Sequence, residues 1–123
     1  LFALYQALPE IRKRRQVIMV EGYMDAITLH AAGVTHAVAS LGTAFTEEQA
    51  RLLKRYADEI VFSYDMDTAG QNATRRALEI AGKTGLKIRV ATVPEGKDPD
   101  EFVRLYGGEA FLEAVKGAAP ALD

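Results

Sequence analysis

Apolar and polar positions along the chain follow two periods, one typical of buried strands and one typical of amphipathic helices. Short apolar runs rich in β-branched residues predict four strands, at 17–20, 37–39, 60–64 and 88–93. Between these runs, apolar residues recur at helical spacing and predict helices at 23–32, from 46 onwards, and at 69–81. This alternation of strands and helices is typical of βαβ units around a parallel sheet.

Local signals predict where further helices begin and end. An apolar pattern in the first eight residues predicts a short helix that Pro9 ends. Thr46 and Gln49 have the spacing of a capping box at the start of a helix. Asp98 and Pro99 have the sequence of an N-cap and first helical residue, so a short helix is expected at 99–106. After Gly107 and Gly108, a second short helix is expected at 109–116.

Composition limits the class of protein. The 123 residues suffice for one domain, and 49% hydrophobic with 26% charged residues is ordinary for a globular protein. No apolar run reaches the roughly 20 residues of a membrane span, no secretory signal is present, and cysteine is absent. We therefore expect a cytoplasmic protein without a membrane partner. Because the chain begins at Leu1 and not at Met, we expect a fragment of a larger protein.

Acidic residues follow the predicted strands. Glu21 comes directly after the first strand, Asp65 and Asp67 follow the third, and the fourth leads towards Asp98 and Asp100. Open parallel sheets bind ligands beyond the carboxyl ends of their strands. Residues two apart in an extended chain point the same way, so the Asp65 and Asp67 carboxylates can reach one ion.

This pattern predicts a metal site, although some of the acids have a second interpretation. Glu21, Asp65 and Asp67 would form a cup of three carboxylates, which a divalent cation such as magnesium would neutralise. Such a site suits phosphoryl or nucleotidyl transfer. Alternatively, Asp67 or Thr68 caps the third helix, Asp25 lies in the first turn of another, and Asp98 is an N-cap.

Four segments, in their order along the chain, resemble the Toprim domain of bacterial DNA primases. They are EGYMD at 21–25, ASLGTA at 39–44, YDMDTAG at 64–70 and KDPD at 97–100. The resemblance covers about residues 1–117. It implies a three-layer α/β/α, Rossmann-like fold with a four-stranded, mainly parallel sheet, which primases share with topoisomerases and some nucleases. On this basis the chain divides into a short helix with a basic segment (1–15), the Toprim core (16–94), and a C-terminal acidic loop with short helices (95–123).

The resemblance also implies a function. It makes Glu21, Asp65 and Asp67 catalytic and metal-binding, with Asp25, Asp98 and Asp100 as further acids around two or more Mg²⁺ or Mn²⁺ ions. The expected activity is nucleotidyl transfer in RNA primer synthesis during DNA replication, in a bacterial cytoplasm. The expected partners are single-stranded template DNA, nucleoside triphosphates and, through regions outside this chain, the replicative helicase. By itself the fragment is expected to be inactive.

The basic run has two interpretations. Arg12, Lys13, Arg14 and Arg15 precede the first strand. The primase resemblance favours contacts with template or nucleotide phosphates. A solvated run of charges is the alternative.

Other functions fit parts of the pattern. The sequence DMDT at 65–68 also fits the loop of haloacid-dehalogenase-like phosphatases, in which the first Asp is a nucleophile. Receiver-type signalling modules and other Toprim enzymes, nucleases or topoisomerases, are further alternatives. His30 and His36 have no partner at metal-ligand spacing, so we interpret both as structural.

Overall fold

A parallel sheet lies at the centre of the computed structural model, which describes residues 1–41, 45–64, 68–92 and 98–120. Its four parallel strands lie in the order β2-β1-β3-β4: β1 (Gln16–Val20), β2 (Ala37–Ala39), β3 (Glu59–Ser63) and β4 (Lys87–Val90). A two-residue strand, β5 (Ala119–Pro120), pairs antiparallel with β4. The predicted α/β fold with four mainly parallel strands is confirmed, and β5 adds a short fifth strand that the sequence pattern did not predict.

Helices cover both faces of the sheet. In chain order they are α1 (Leu4–Arg14), α2 (Tyr23–Ala31), α3 (Glu47–Lys54), α4 (Thr68–Gly82), α5 (Pro99–Tyr106) and α6 (Gly108–Lys116). Buried residues of α1, α3 and α4 share one hydrophobic cluster, and those of α2, α5 and α6 share another. The sheet separates the two clusters, which gives the predicted three layers.

Strands β1, β2 and β3 are buried on both faces because each of them contributes to both clusters, whereas the residues of β4 are half-buried or exposed. In β1, Val17 and Met19 belong to the first cluster and Ile18 and Val20 to the second, and all four have no exposed surface. Successive side chains of a strand point to opposite faces, so a nearly continuous apolar run is what a covered parallel sheet requires. The ends of the strands are therefore the parts of the sheet at which polar chemistry is possible.

The prediction that Pro9 ends the first helix is wrong. Helix α1 continues through Pro9 to Arg14, and its inner residues Ala7 and Ile11 are completely buried. Proline has no N–H to donate to the carbonyl of Tyr5, four residues earlier. Tyr5 is 85% exposed, so water is available to that carbonyl. Burial of Ile11 stabilises the extra turns by more than the lost hydrogen bond costs.

Two predicted helix starts are confirmed. Thr46 caps α3: its hydroxyl accepts a hydrogen bond from the Gln49 N–H, and the Gln49 side chain accepts one from the Thr46 N–H, both at 3.1 Å. The Asp98 carboxylate caps α5 by accepting the Glu101 N–H at 2.8 Å, with Pro99 as the first helical residue. The predicted fourth strand, in contrast, ends at Val90, and position 93 lies outside the described residues.

The outer sides of β2 and β4 are each partly covered by another segment of the chain. At one side, Phe2 forms an isolated antiparallel bridge with Ala39 of β2, with N–H···O distances of 2.9 and 3.1 Å. At the other side, β5 pairs with β4.

Among the helices in the described part of the chain, none combines the length and apolar content that a bilayer crossing requires.

Candidate functional site

Three neighbouring strands end side by side at one edge of the sheet. Val20, the last residue of β1, pairs with Ala39 of β2 and with Ser63 of β3. The residues that leave these strands are Glu21, Ser40 and Tyr64, and we call this region the carboxyl edge. The prediction that Glu21 and Asp65 follow adjacent strands agrees with the pairing of β1 and β3.

Backbone hydrogen bonds extend the carboxyl edge beyond the strands. The Ser40 N–H donates to the Val20 carbonyl at 3.0 Å, and the Leu41 N–H donates to the Glu21 carbonyl at 2.9 Å. Leu41 has a φ of 58°, in the left-handed region that residues with side chains rarely adopt. These bonds fix the backbone of Glu21 against the end of β2.

The electrostatics of the carboxyl edge are visible at Tyr64. Its buried hydroxyl donates to the Ser40 hydroxyl oxygen at 3.2 Å. Burial raises the pKa of Tyr64, the hydrogen bond with Ser40 opposes this, and the negative charge of Glu21 raises the pKa further. Glu21 and Tyr64 directly follow the paired strands β1 and β3, which places the charge of Glu21 beside the end of β3.

Asp25 joins the beginnings of two helices. It lies in the first turn of α2, where its Oδ2 accepts the Gly22 N–H at 3.4 Å. Its Oδ1 accepts the Asp100 N–H, in the first turn of α5, at 3.0 Å. The predicted first-turn position of Asp25 is confirmed, and a single carboxylate satisfies a backbone donor in each helix.

Asp100 is held by donors from two helices. Its Oδ1 accepts hydrogen bonds from the Thr28 hydroxyl of α2 and from Arg104 Nε of α5, the latter at 2.9 Å. We call Asp25, Thr28, Asp100 and Arg104 the α2–α5 clasp. The structure thus brings the predicted site residues Asp25 and Asp100 together, next to the helix cap Asp98.

Two central site residues are not described. Asp65 and Asp67 lie outside the described residues, between Tyr64 and the first residue of α4, Thr68. Their metal-binding role and the distance from Asp65 to Glu21 therefore stay predictions. Within residues 1–41, 45–64, 68–92 and 98–120, no group of three or more His, Asp or Glu side chains is arranged to hold a metal ion.

The basic run lies at the opposite end of the strands, where they begin, and we call this region the amino edge. The Arg12 guanidinium lies 5.0 Å from the centre of the Tyr56 ring, and Arg14 pairs with Glu10 at 2.6 Å. Arg15 directly precedes β1 and pairs with Asp58, which directly precedes β3. These positions are separated from Glu21 by the length of β1.

Ion pairing perturbs the charged groups of this run. Arg15 donates to both oxygens of Asp58, at 2.9 and 3.2 Å, and to the Tyr56 carbonyl at 2.9 Å. The hydrogen bond from Arg15 lowers the pKa of Asp58, and the same bond raises the pKa of Arg15. Arg15 is therefore already bound within the chain.

A chain of hydrogen bonds crosses the sheet at this edge. His36 Nε2 lies 3.0 Å from Gln16 Oε1, Gln16 Nε2 donates to Glu59 at 2.7 Å, and Glu59 pairs with Arg89 at 3.5 Å. Because the carboxylate of Glu59 fixes the orientation of the Gln16 amide, the Nε2 of His36 must be the donor. We call His36, Gln16, Glu59 and Arg89 the amino-edge polar chain.

The ends of the amino-edge polar chain are buried or bound to backbone. Arg89 donates to the carbonyl of Lys116, the last residue of α6, at 2.7 Å and to that of Ala118, just after the helix, at 3.0 Å. His36 is fully buried, and its Nδ1 has no hydrogen-bond partner among the described residues. Burial lowers the pKa of His36 to about 4, so the ring is neutral at pH 7. This agrees with its interpretation as a structural residue, as does the 2.8 Å contact between His30 Nε2 and the Ala37 carbonyl.

The family of the chain is shown by comparison with known proteins. The profile of a family described as Toprim-like matches residues 18–103, more than half of the chain. The chain belongs to the Toprim-like family. Strand order alone does not separate a Toprim fold from the receiver alternative, since receiver domains also place their first strands in the order 2-1-3-4. The family match makes that distinction.

The Toprim-like chain is similar to segments of DNA primases. A DNA primase from Clostridium acetobutylicum is 55% identical over 107 residues, which are 87% of this chain and 18% of the relative. The crystal structure of the Aquifex aeolicus primase, with zinc-binding and RNA polymerase domains, superposes with a TM-score of 0.91 at 35% identity, over 98% of this chain and 30% of that one. A DnaG primase catalytic domain bound to single-stranded DNA gives 0.85 at 39%, over 96% and 38%. The chain thus spans about a fifth of the length of the curated relative.

Four residues of the candidate site, Ser40, Tyr64, Thr28 and Arg104, were not predicted from the sequence pattern. Ser40 and Tyr64 directly follow β2 and β3, so the rule that selected Glu21 could have found them. Thr28 lies three residues after Asp25, and Arg104 lies four after Asp100, which are same-face spacings on a helix. These spacings are common among surface pairs, so they were no distinct signal.

Proposed function

We propose that this chain is the catalytic Toprim core of a DNA-dependent primase, in which strand-end carboxylates bind divalent metal ions for nucleotidyl transfer in RNA primer synthesis. Family membership and the similarity to DNA primases support the choice of primase over a nuclease or topoisomerase. Because the chain spans about a fifth of that relative, the activity belongs to a larger polypeptide. We propose that the isolated chain does not make primers.

The observation that carries the proposal is the adjacency of β1 and β3 at the carboxyl edge. Val20 pairs with Ser63, so Glu21 leaves the sheet beside the segment that continues through Tyr64 to Asp65 and Asp67. Carboxylate oxygens are hard ligands, which fit Mg²⁺ or Mn²⁺. Such ions, two or more, would supply charge stabilisation for the phosphates of the reacting nucleotides.

Each acid has a place in this proposal. Glu21, Asp65 and Asp67 would bind the ions and orient the reacting phosphates. Asp98, the N-cap of α5, and Asp100, in its first turn, would be further acids around the ions, and Asp25 accepts the Asp100 N–H. Hydrogen bonds hold these carboxylates in a fixed orientation. A metal ion therefore binds them without a rearrangement of the site.

The proposed partners are single-stranded template DNA and nucleoside triphosphates. A structural neighbour is a primase catalytic domain bound to single-stranded DNA, which supports the template. Arg12, Lys13, Arg14 and Arg15 would contact nucleic-acid phosphates, but at the amino edge, away from the metal site. Arg14 and Arg15 would have to exchange their carboxylate partners for phosphates. The helicase contact would use regions outside this chain, in a bacterial cytoplasm.

The test of this function is the Asp67→Ala variant of the whole protein that carries this chain. We expect it to make no detectable RNA primer on a single-stranded template, with an unchanged circular dichroism spectrum, because the carboxylate is assigned to the ion and not to the core. Glu113→Ala, which removes an exposed carboxylate from α6, is the control and should retain synthesis. Near-normal synthesis by Asp67→Ala would refute the proposal. Template-dependent RNA made by the 123-residue chain alone would refute the expected inactivity.

A further inference from the structure

The α2–α5 clasp controls the orientation of one carboxylate. The Thr28 hydroxyl and Arg104 Nε approach Asp100 from different helices, yet both donate to the same oxygen, Oδ1. Two donors on one oxygen restrict rotation of a carboxylate about its last torsion, which is otherwise broad. The Asp100 side chain is only 19% exposed, so competition from water is small.

The backbone of Asp100 is fixed as well. Its N–H donates to Asp25, in the first turn of α2, the helix that begins two residues after Glu21. Thr28 belongs to the same helix, one turn further on. Thus α2 holds both the backbone and the side chain of Asp100, and it ties them to the carboxyl edge.

The Thr28 hydroxyl does not form the hydrogen bond that is usual for a threonine inside a helix. A threonine inside a helix commonly donates to the carbonyl four residues earlier, here that of Met24. In this structure it donates to a side chain 72 residues away in sequence. Arg104 is 62% exposed and pairs with a residue one turn earlier, an arrangement that adds little to stability. The orientation of Asp100 is the effect that both contacts share.

We propose that Thr28 and Arg104 are positioning residues, which orient the Asp100 carboxylate towards the metal ions at the carboxyl edge. This inference rests on the proposed function, because it takes Asp100 to be a metal ligand. Residues that hydrogen-bond to metal ligands commonly change metal affinity or activity by about 10- to 100-fold when they are replaced. Thr28 and Arg104 are outside the set of acids that the sequence pattern predicted.

The experiment is a Mn²⁺ titration of the 123-residue chain, by electron paramagnetic resonance. Thr28→Val keeps the shape of the side chain and removes the hydroxyl, and we expect it to weaken Mn²⁺ binding about tenfold. Arg104→Lys keeps the positive charge but loses the Nε donor, and it should weaken binding by a similar factor. Thr28→Ser, which restores the hydroxyl, should bind within about twofold of the wild type. The control is Lys116→Gln, which removes a similar helix-surface ion pair from the end of α6 and should leave the affinity unchanged.

A double-mutant cycle separates positioning from a general structural effect. When Asp100 is already Asn, Thr28→Val should cause no further loss of Mn²⁺ affinity, whereas an equal loss in both backgrounds would overturn the inference. If Asp67→Ala abolishes Mn²⁺ binding while Thr28→Val and Arg104→Lys bind normally, the positioning role is refuted and the proposed function stands. If the wild type itself binds no Mn²⁺, both are refuted.

Discussion

The two edges of the sheet use charge in opposite ways. At the amino edge, Gln16, Glu59 and Arg89 bind one another in a row, and Arg89 also binds carbonyls at the end of α6. At the other end of the strands, Asp25 and Asp100 lie together at the beginnings of α2 and α5, and Arg104 pairs with Asp100. Acids gathered with few cations repel one another, whereas a paired row does not.

This contrast separates stability from the proposed chemistry. A paired polar row satisfies its own hydrogen bonds, so it can be buried and rigid. Neighbouring carboxylates repel one another until a cation binds between them. Relief of this repulsion contributes to the binding free energy of the cation. Replacements at the amino edge should therefore change unfolding, and replacements at the carboxyl edge should change metal binding and activity.

The largest expected effect compares two Glu→Gln replacements in the whole protein. Glu21→Gln should lower primer synthesis at least about a thousandfold, because a neutral amide binds Mg²⁺ poorly and about 4 kcal/mol of transition-state stabilisation is lost. Its metal-free melting temperature should be equal to or above that of the wild type, since repulsion is relieved. Glu59→Gln, at the amino edge, should retain synthesis within about twofold. Primer assays and thermal melts in EDTA measure both effects; equal activity losses would remove the distinction between the edges.

A smaller effect is expected from the pH dependence of the amino edge. The pKa of His36 is about 4 in the folded protein, below its ordinary value of 6.5, so the unfolded state binds more protons between these values. The free energy of unfolding should therefore be constant above about pH 7 and fall by about 1.4 kcal/mol per pH unit below 6.5, by as much as about 3 kcal/mol at pH 4. Urea unfolding from pH 7.5 to 4 measures this.

The control for this pH dependence is His36→Gln, which keeps an amide donor for Gln16 and cannot titrate. Its loss of stability in the same range should be smaller, because only carboxylates such as Glu10 and Asp58, whose pKa values arginines hold low, then contribute. Parallel curves for the two proteins would mean that His36 does not control the acid stability of this edge.

The smallest effect is expected from Arg89→Leu. This change removes the Arg89 donor from the carbonyls of Lys116 and Ala118 and from Glu59, which keeps its hydrogen bond from Gln16, and it should lower the free energy of unfolding by about 2 kcal/mol. Mn²⁺ affinity should stay within about twofold of the wild type, since the carboxyl edge is not touched. Urea unfolding and a Mn²⁺ titration on the same preparation test both statements. A loss of Mn²⁺ affinity comparable to the loss of stability would show that the edges are coupled.

The fold could be predicted from the sequence because its signals are local. Apolar runs covered on both faces gave the strands, and cap residues such as Thr46 and Asp98 gave helix starts. Pro9 was misread because its local cost is outweighed by burial of Ile11, which depends on tertiary contacts. Strand β5 has two residues and contains Pro120, so it has no strand pattern of its own.

Strand ends indicate candidate acids, whose metal-binding role stays a prediction, but they do not indicate the hydrogen-bond partners of those acids. Strand ends select Glu21 without any knowledge of the fold. The contacts of Thr28 with Asp100 and of His36 with Gln16 join helices and strands that lie far apart in sequence. Such pairs follow from the packing of α2 on α5 and of β2 on β1, which no local pattern encodes.

The bridge between Phe2 and Ala39 has a consequence for how copies of this protein meet. An outer strand with free N–H and C=O groups is a template on which another molecule can add a strand, and this is a common route to aggregation. Here Phe2 occupies that position on β2, and β5 does the same on β4. Loss of the Phe2 contact would expose the N–H and C=O groups of Ala39 to strand addition by a neighbouring molecule. We therefore expect replacements that break this bridge to increase aggregation.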